Sequence, residues 1–140
     1  MNCATFAGEW VLRVTGTDPL EGYRGRAETE AEAMALLSDL DRTLYEALRK
    51  RFGSPVHPAR AQRGDIAYRK AERACGIYLT SGARMLALFL TDGGFAMHRA
   101  RETDWAFRVT GRIGGWQRHL NEYILEAQAR YAQSGFGWKL

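Results

Sequence analysis

The sequence predicts an α+β domain in which helices at both ends of the chain pack on an antiparallel sheet of four or five strands. Two observations predict this class. Apolar residues recur at three- and four-residue spacing before residue 53 and again after residue 115, which is the helical period. Between residues 64 and 109, short runs rich in β-branched and aromatic residues alternate with glycine-containing breaks, which is typical of a strand meander.

Three helices are predicted before residue 53. The first spans Cys3 to Thr15 and is followed by Gly16 as a stop signal. The second begins near Thr29, where glutamates at positions 28, 30 and 32 suit the positive end of a helix dipole. Asp41 is expected to cap the third helix. The inward-facing residues of that third helix are Leu44, Tyr45 and Leu48.

The rest of the chain predicts loops, strands and one more helix. The stretch TGTDPLEGYRGR predicts a loop, and GSPVHPARAQRG predicts an extended linker because its prolines disfavour regular structure. Five runs predict strands: GDIAYRK, CGIYLTS, MLALFLTD, FAMHRA and WAFRV. Residues 116–133 predict a last helix with an apolar stripe. The stripe comprises Trp116, Leu120, Tyr123, Ile124, Ala127 and Tyr131.

Composition limits the classes of function. At 140 residues, with 46% hydrophobic and 26% charged residues, the chain is expected to be soluble and globular. No apolar run approaches the roughly 20 residues that cross a bilayer. No signal-peptide pattern is present, so we expect no membrane segment and synthesis in a cytoplasm. The net charge is +4, but the arginines are scattered without an accompanying aromatic stripe, so nucleic acid is not an expected partner.

The spacing of cysteine and histidine predicts neither a disulfide framework nor a metal site. The two cysteines are Cys3 and Cys75, and no CxxC pair or Cys/His cluster is present. The three histidines are far apart in sequence, at His57, His98 and His119. We therefore expect neither a metal nor another cofactor.

Three short motifs occur in an order that is found in a known family. Residues 2–6 (NCATF) open the first helix, residues 63–68 (RGDIAY) lead into the first strand, and residues 74–79 (ACGIYL) form the second strand. This arrangement resembles the NlpC-type cysteine peptidases, papain-like enzymes that cut bacterial cell-wall peptides. In that family DC..F begins the helix, GD precedes a strand, and a histidine stands directly before VGIYL. The resemblance implies a papain-like (NlpC-like) fold.

The same resemblance implies that the catalytic site is degenerate. The parent chemistry needs a thiolate whose pKa is lowered by a helix N-terminus and an imidazole, and the imidazole later protonates the leaving amine. Cys3 matches the nucleophile, but Ala74 occupies the position expected for the histidine and Asn2 that of the aspartate. His98, on a later strand, is the best candidate for a displaced base. We expect Cys3 to be a buried or half-buried structural thiol and Cys75 to be a core residue.

A divergent phage and prophage branch of that superfamily is more similar still. Its members are encoded among tail genes and share TGTDP, YRGR, RGD and a closing strand like WAFRV, over residues 2 to about 109. The resemblance implies a structural component of a tail tip or hub, located in the virion and bound to other tail-tip or hub proteins. Two alternatives are a cell-wall peptide hydrolase that uses Cys3 with a displaced histidine, and a tail-assembly chaperone that is absent from the finished particle.

The last thirty residues extend beyond that resemblance. We predict an NlpC-like domain over residues 1–110, followed over residues 111–140 by a C-terminal helix and an aromatic tail that contact a partner. Aromatic residues are enriched at the centres of protein interfaces. The alternative is that the helix and the tail pack on the protein's own sheet. The predicted interaction residues are Trp116, Leu120, Tyr123, Ile124, Tyr131, Phe136, Trp138 and Leu140.

Overall fold

A computed structural model describes residues 2–91 and 93–134 of the chain. Within these ranges, four α-helices and one five-stranded sheet follow the predicted order, which confirms the α+β class. The helices are α1 (Asn2–Thr15), α2 (Glu30–Leu40), α3 (Leu44–Phe52) and α4 (Leu120–Ser134). The strands are β1 (Ile66–Arg69), β2 (Ala74–Ser81), β3 (Arg84–Thr91), β4 (Gly94–Arg99) and β5 (Trp105–Phe107). Short 3-10 turns cover Pro58–Arg60, Ala100–Glu102 and Trp116–His119.

The sheet is antiparallel, with the strand order β4-β3-β2-β1-β5. Side chains alternate between the two faces along each strand, whereas residues paired across strands share a face. Ile77 on β2 pairs with Ile66 on β1 and with Leu88 on β3, and all three are buried on the side where the helices pack. We call the side that bears Ile77 the helical face and the opposite side the loop face.

Helix α1 lies at the centre of the helical face. Phe6 and Trp10 are fully buried there, as the predicted apolar face requires. The indole nitrogen of Trp10 donates a hydrogen bond to the Gly64 carbonyl oxygen at 2.9 Å, so its polar atom is satisfied in the core. Burial of this apolar face is the main stabilising contribution to α1, at about 25 cal/mol for each Å² removed from water.

The loop face carries a thinner apolar layer. Ala67, Ala87 and Phe89 are buried on this side beneath irregular segments of the chain. Val56, in the predicted extended linker, exchanges two backbone hydrogen bonds with Ala106 on β5, at 2.8 and 3.0 Å. The linker therefore covers this face and protects the edge of β5.

Helix α4 packs on the body of the protein. Leu120, Tyr123 and Tyr131 are buried against α1 and the sheet, and the Tyr123 hydroxyl donates to a backbone carbonyl oxygen of α1. Trp116 and Ile124 are half-buried against the same core. The prediction of a partner surface is wrong for Leu120, Tyr123 and Tyr131, because the protein's own helix and sheet cover them. For the half-buried Trp116 and Ile124 it stays a prediction.

The predicted boundary at residue 110 does not divide the core. One apolar cluster joins side chains of α1, the sheet and α4, so the described part of residues 111–140 belongs to the same packing unit as the residues before it. The aromatic tail predicted as an interaction segment, with Phe136, Trp138 and Leu140, lies outside the described residues.

Thr43, rather than Asp41, caps α3. The Thr43 side chain accepts a hydrogen bond from the Glu46 backbone N–H at 3.1 Å. Asp41 ends α2, and its buried carboxylate accepts a hydrogen bond from the Tyr23 hydroxyl and pairs with Arg51 at 3.1 Å. Both residue types are good N-caps. The prediction that Asp41 caps α3 was wrong because its carboxylate binds Tyr23, which lies in the loop before α2.

Candidate functional site

The predicted nucleophile lies in the first turn of α1, on the side that faces the sheet. Cys3 is 2% exposed and packs against Cys75 on β2, which is also 2% exposed. The two thiols are free and hydrogen-bonded to each other, and we call them the thiol pair. The predictions that Cys3 is buried and that Cys75 is a core residue are confirmed.

The two members of the thiol pair differ in acidity. The hydrogen bond from the Cys75 thiol lowers the pKa of Cys3, although burial opposes the shift. The same hydrogen bond, together with burial, raises the pKa of Cys75 well above its usual value. Electrostatics therefore favour a thiolate at Cys3, as in an activated cysteine. Burial nevertheless keeps that thiolate from a substrate, since a nucleophile must approach the carbonyl carbon it attacks.

The residue that faces Cys3 is Cys75, and Ala74 faces away. Ala74 pairs with Arg69 on β1, and strand alternation places both side chains on the loop face. Cys75 pairs with Tyr68 on the helical face. Ala74 begins the strand and also packs against the apolar cluster of the helical face, so the prediction that position 74 is the place of the lost base stays a prediction.

His98, the candidate for a displaced base, lies on the wrong face of the sheet. It pairs with Ala87 on β3, which in turn pairs with Tyr78 on β2. Ala87 and Tyr78 belong to the buried cluster of the loop face. The sheet therefore separates His98 from Cys3, and the predicted pairing of the two as a catalytic dyad is wrong for this arrangement.

His98 contacts Arg69 and Phe89 instead of the thiol pair. Its Nδ1 lies 3.2 Å from the guanidinium of Arg69, and its ring meets that of Phe89 in a T-shaped contact at 5.5 Å. The same guanidinium donates to both carboxylate oxygens of Glu72, at 2.6 and 2.7 Å. His98 is thus a half-buried side chain in a polar network of the loop face.

The other histidines are also remote from the thiol pair. His57 Nδ1 accepts from the Ala59 backbone N–H at 3.0 Å and caps a 3-10 turn. His119 is exposed just before α4. In the part of the chain that the structure describes, no imidazole contacts Cys3 or Cys75. The same residues contain no cluster of three or more Cys, His, Asp or Glu placed to hold a metal ion.

Gly64 and Asp65, which match the GD motif of the NlpC-type family, have a structural role. The buried carboxylate of Asp65 accepts from the backbone N–H groups of Gln62 at 2.8 Å and of Val109 at 3.1 Å. Burial raises the pKa of Asp65, while these two hydrogen bonds oppose the shift. The preceding Gly64 has a φ of +93°, which glycine adopts without strain, and its carbonyl oxygen holds Trp10 of α1. The motif therefore ties the chain before β1 to the chain after β5 and to α1.

The loop with the TGTDP and YRGR motifs is also structural. The Asp18 carboxylate accepts from the Leu20 backbone N–H at 2.9 Å and pairs with Arg24 at 2.6 Å. Leu20 and Tyr23 of this loop border an apolar cavity of about 80 Å³ that lies next to Cys75. Pockets that hold small molecules usually measure roughly 300–1,000 Å³. The cavity that this loop borders is therefore too small to hold a peptide substrate.

Fold and site together define a small α+β domain with an N-terminal-helix cysteine that is closed against the sheet by a second cysteine. Residues 1–109 match a family described as Domain of unknown function (DUF6950), and the chain belongs to that family. The match ends just after β5, so α4 lies outside it. No curated protein and no solved structure matches the chain significantly. None of the described helices is both long enough and apolar enough to span a membrane.

Proposed function

We propose that this protein is a non-catalytic structural component of a phage or phage-like tail tip or hub, carried in the virion and bound to other tail proteins. Under this proposal its fold is a degenerate papain-like (NlpC-like) one. One observation supports the loss of catalysis: Cys3 is buried and hydrogen-bonded to Cys75, with the described histidines elsewhere. A cysteine hydrolase needs an accessible thiolate and an acid for the leaving amine.

The location in a tail is supported by the resemblance of residues 2 to about 109 to proteins encoded among phage tail genes. Their shared motifs coincide with residues that maintain shape. Asp18 and Asp65 each accept hydrogen bonds from backbone N–H groups, and Arg24 pairs with Asp18. A domain that keeps its shape-determining motifs while its thiol is closed fits a role in binding.

Two experiments on phage particles test this function. Mass spectrometry of purified particles is expected to find the chain as a constituent. Particles that carry Cys3→Ala are expected to assemble and to cross the host cell wall like the wild type. Cys75→Ala is the matched control, because it removes the other sulfur of the thiol pair at a position that does not match the nucleophile.

Each contrary outcome identifies one of the alternatives. Cys3→Ala particles that assemble but fail to cross the wall, while Cys75→Ala particles succeed, would contradict the non-catalytic role. A chain that is required for assembly but absent from purified particles would instead be a tail-assembly chaperone.

The cell-wall hydrolase is the second candidate, and the lowered pKa of Cys3 favours it. This activity would require the contact between α1 and β2 to open so that an imidazole reaches the thiol. Hydrolysis of purified cell wall that disappears in Cys3→Ala and in one of the single variants His57→Ala, His98→Ala and His119→Ala would establish it. The structural role predicts no hydrolysis by the wild type.

A further inference from the structure

A wide groove opens on the helical face beside the thiol pair. It has a volume of about 490 Å³ and runs between the α2–α3 junction and the ends of β1 and β5. Aromatic rings of Tyr45, Tyr68 and Trp105 line it, and we call it the aromatic groove. Trp105 is 40% exposed, which leaves much of its ring uncovered by the protein. The volume lies within the range of pockets that bind ligands.

Positive charge surrounds the aromatic groove. Arg42, Lys70 and Arg73 line it, and its described lining contains no Asp or Glu. Among the described side chains, those of Lys70 and Arg73 have no ion-pair or hydrogen-bond partner. The contact of Arg42 with Glu46 is 3.9 Å long and exposed, so it contributes little. The neighbouring Asp104 accepts from the Lys70 backbone N–H at 2.6 Å and is not part of the lining.

The remaining polar groups of the groove are mostly hydrogen-bond donors. The hydroxyls of Tyr45 and Tyr68 have no hydrogen-bond partner among the described residues. Burial raises the pKa of Tyr68, with the charge of Arg73 partly offsetting the shift, so this phenol stays a neutral donor. Helix α3 begins at Leu44 in the groove wall, where the first-turn N–H groups that Thr43 does not cap carry partial positive charge. A groove wall of hydrogen-bond donors complements an anion that offers several acceptor oxygens.

We propose that the aromatic groove docks an acidic segment of a partner protein in which an aromatic side chain lies next to carboxylates. The cations complement the carboxylates, and the exposed Trp105 offers a flat surface on which the aromatic side chain stacks. Arginine and aromatic residues are the types enriched at interface centres. The proposal rests on the proposed function in taking this partner to be a neighbouring tail protein.

Titration of the full chain with the peptide acetyl-Glu-Glu-Phe-Glu-Glu-amide, followed by NMR chemical shifts, tests the charge complementarity. We expect saturable binding that weakens with added salt. In Arg73→Glu and in Lys70→Glu the dissociation constant is expected to rise about tenfold or more, because an attraction becomes a repulsion. Arg84→Glu is the matched control, since Arg84 is exposed at the start of β3 and outside the groove. Its affinity is expected to equal that of the wild type.

The aromatic contribution is tested separately. Trp105→Ala with the same peptide, and the wild type with acetyl-Glu-Glu-Gly-Glu-Glu-amide, are each expected to show binding about tenfold weaker, since each removes one ring of the stack. The urea unfolding midpoint of every variant verifies that it is folded. Absence of saturable binding to the folded wild type overturns the proposal, as does equal binding by Arg73→Glu. Tighter binding of the all-lysine counterpart peptide, or of an oligothymidine, overturns it as well.

Particles distinguish this proposal from the proposed function. The double variant Lys70→Glu/Arg73→Glu is expected to be lost from purified tails, whereas Arg84→Glu is retained. If the wild-type chain and both variants are all retained, the groove proposal fails and the structural role stands. If the wild-type chain is absent from particles while the peptide binds as expected, the structural role fails and the groove still binds acidic segments.

Discussion

The thiol pair and the aromatic groove lie side by side on the same face of one sheet, yet their physical character is opposite. Tyr68 connects them, because it pairs with Cys75 across the strands and also lines the groove. On one side of Tyr68, the thiols of Cys3 and Cys75 are buried and hydrogen-bonded to each other. On the other side, Lys70 and Arg73 have no ion-pair or hydrogen-bond partner for their side chains among the described residues, and the indole of Trp105 is partly exposed.

This contrast shows that electrostatic activation and chemical availability are separate properties. The hydrogen bond within the thiol pair lowers the pKa of Cys3, but the surrounding side chains exclude the substrate that a thiolate would attack. The groove has the converse combination, open space and unpaired donors, and its described lining contains no cysteine.

The largest expected effect is on stability at the closed side. Ile77→Ala is expected to lower the free energy of unfolding by about 2–5 kcal/mol, because Ile77 is fully buried beside Cys75. Trp105→Ala, on the open side, is expected to cost less, about 1–2 kcal/mol, because only part of its side chain is covered. Urea denaturation at neutral pH measures both. Equal losses would contradict the distinction between a closed and an open side.

Two buried aspartates extend the comparison to charge. Asp41 is surrounded by a phenol and cations, and although burial opposes them, these partners lower its pKa. Asp41→Asn is expected to cost about 1–3 kcal/mol at neutral pH. Because the pKa of Asp41 is lower in the folded state, its ionised carboxylate contributes to the free energy of unfolding above the unfolded-state pKa of 3.8. This contribution is lost as pH falls through the folded-state pKa.

Asp65 provides the opposite sign and serves as the control. Burial raises its pKa, so its protonated form favours the folded state. The wild type should therefore gain stability over Asp65→Asn as pH falls from 7 towards 4, whereas it loses its advantage over Asp41→Asn below about 3.8. Unfolding free energies of the three proteins between pH 3 and 7 test this. Parallel pH profiles for the two variants would refute the assigned environments.

A smaller effect is expected at the thiol pair itself. Cys3→Ala and Cys75→Ala should each lower the free energy of unfolding by about 1 kcal/mol, because each removes one buried sulfur and the partner's hydrogen bond. The double variant should lose less than the sum, since the second substitution has no hydrogen bond left to break. Additive losses in the double-mutant cycle would show that the two thiols do not interact.

The smallest effect is expected at the groove cations. Lys70→Gln and Arg73→Gln should change the free energy of unfolding by less than about 0.5 kcal/mol, because neither side chain has an ion-pair or hydrogen-bond partner among the described residues. Binding of the acidic peptide should nevertheless weaken in both. A stability loss well above that limit would place these cations in an internal network instead of a binding surface.

The fold class and the helical order were predictable from the sequence because they depend on local periodicity. The apolar spacing from Phe6 to Val14 predicted α1, and the short runs between residues 64 and 109 predicted an antiparallel sheet of four or five strands, of which the structure has five. Strand alternation also held the information that Cys75 shares a face with Ile77. The family motif indicated Ala74 instead, because a motif records the order of residues along the chain and not which residues are paired across the sheet.

Contacts between distant segments were not predictable. The stripe of α4 predicted an apolar face, but sequence alone did not distinguish burial against α1 from burial against a partner. Asp41 has the properties of a helix cap, and its pairing with Tyr23 depends on how the intervening loop folds. The aromatic groove joins residues from α2, α3, β1 and β5, and no local pattern connects Arg42 with Trp105.

The central claim, that the thiol of Cys3 is closed to reagents in the folded protein, is tested most directly by alkylation of the folded protein with iodoacetamide from pH 5 to 9, with each cysteine followed by mass spectrometry. Arg84→Cys supplies an exposed reference thiol. We predict that the reference reacts with ordinary pH dependence, while Cys3 and Cys75 react only when urea unfolds the chain. Rapid modification of Cys3 at pH 5 to 6 in the folded protein would contradict the account and favour the hydrolase.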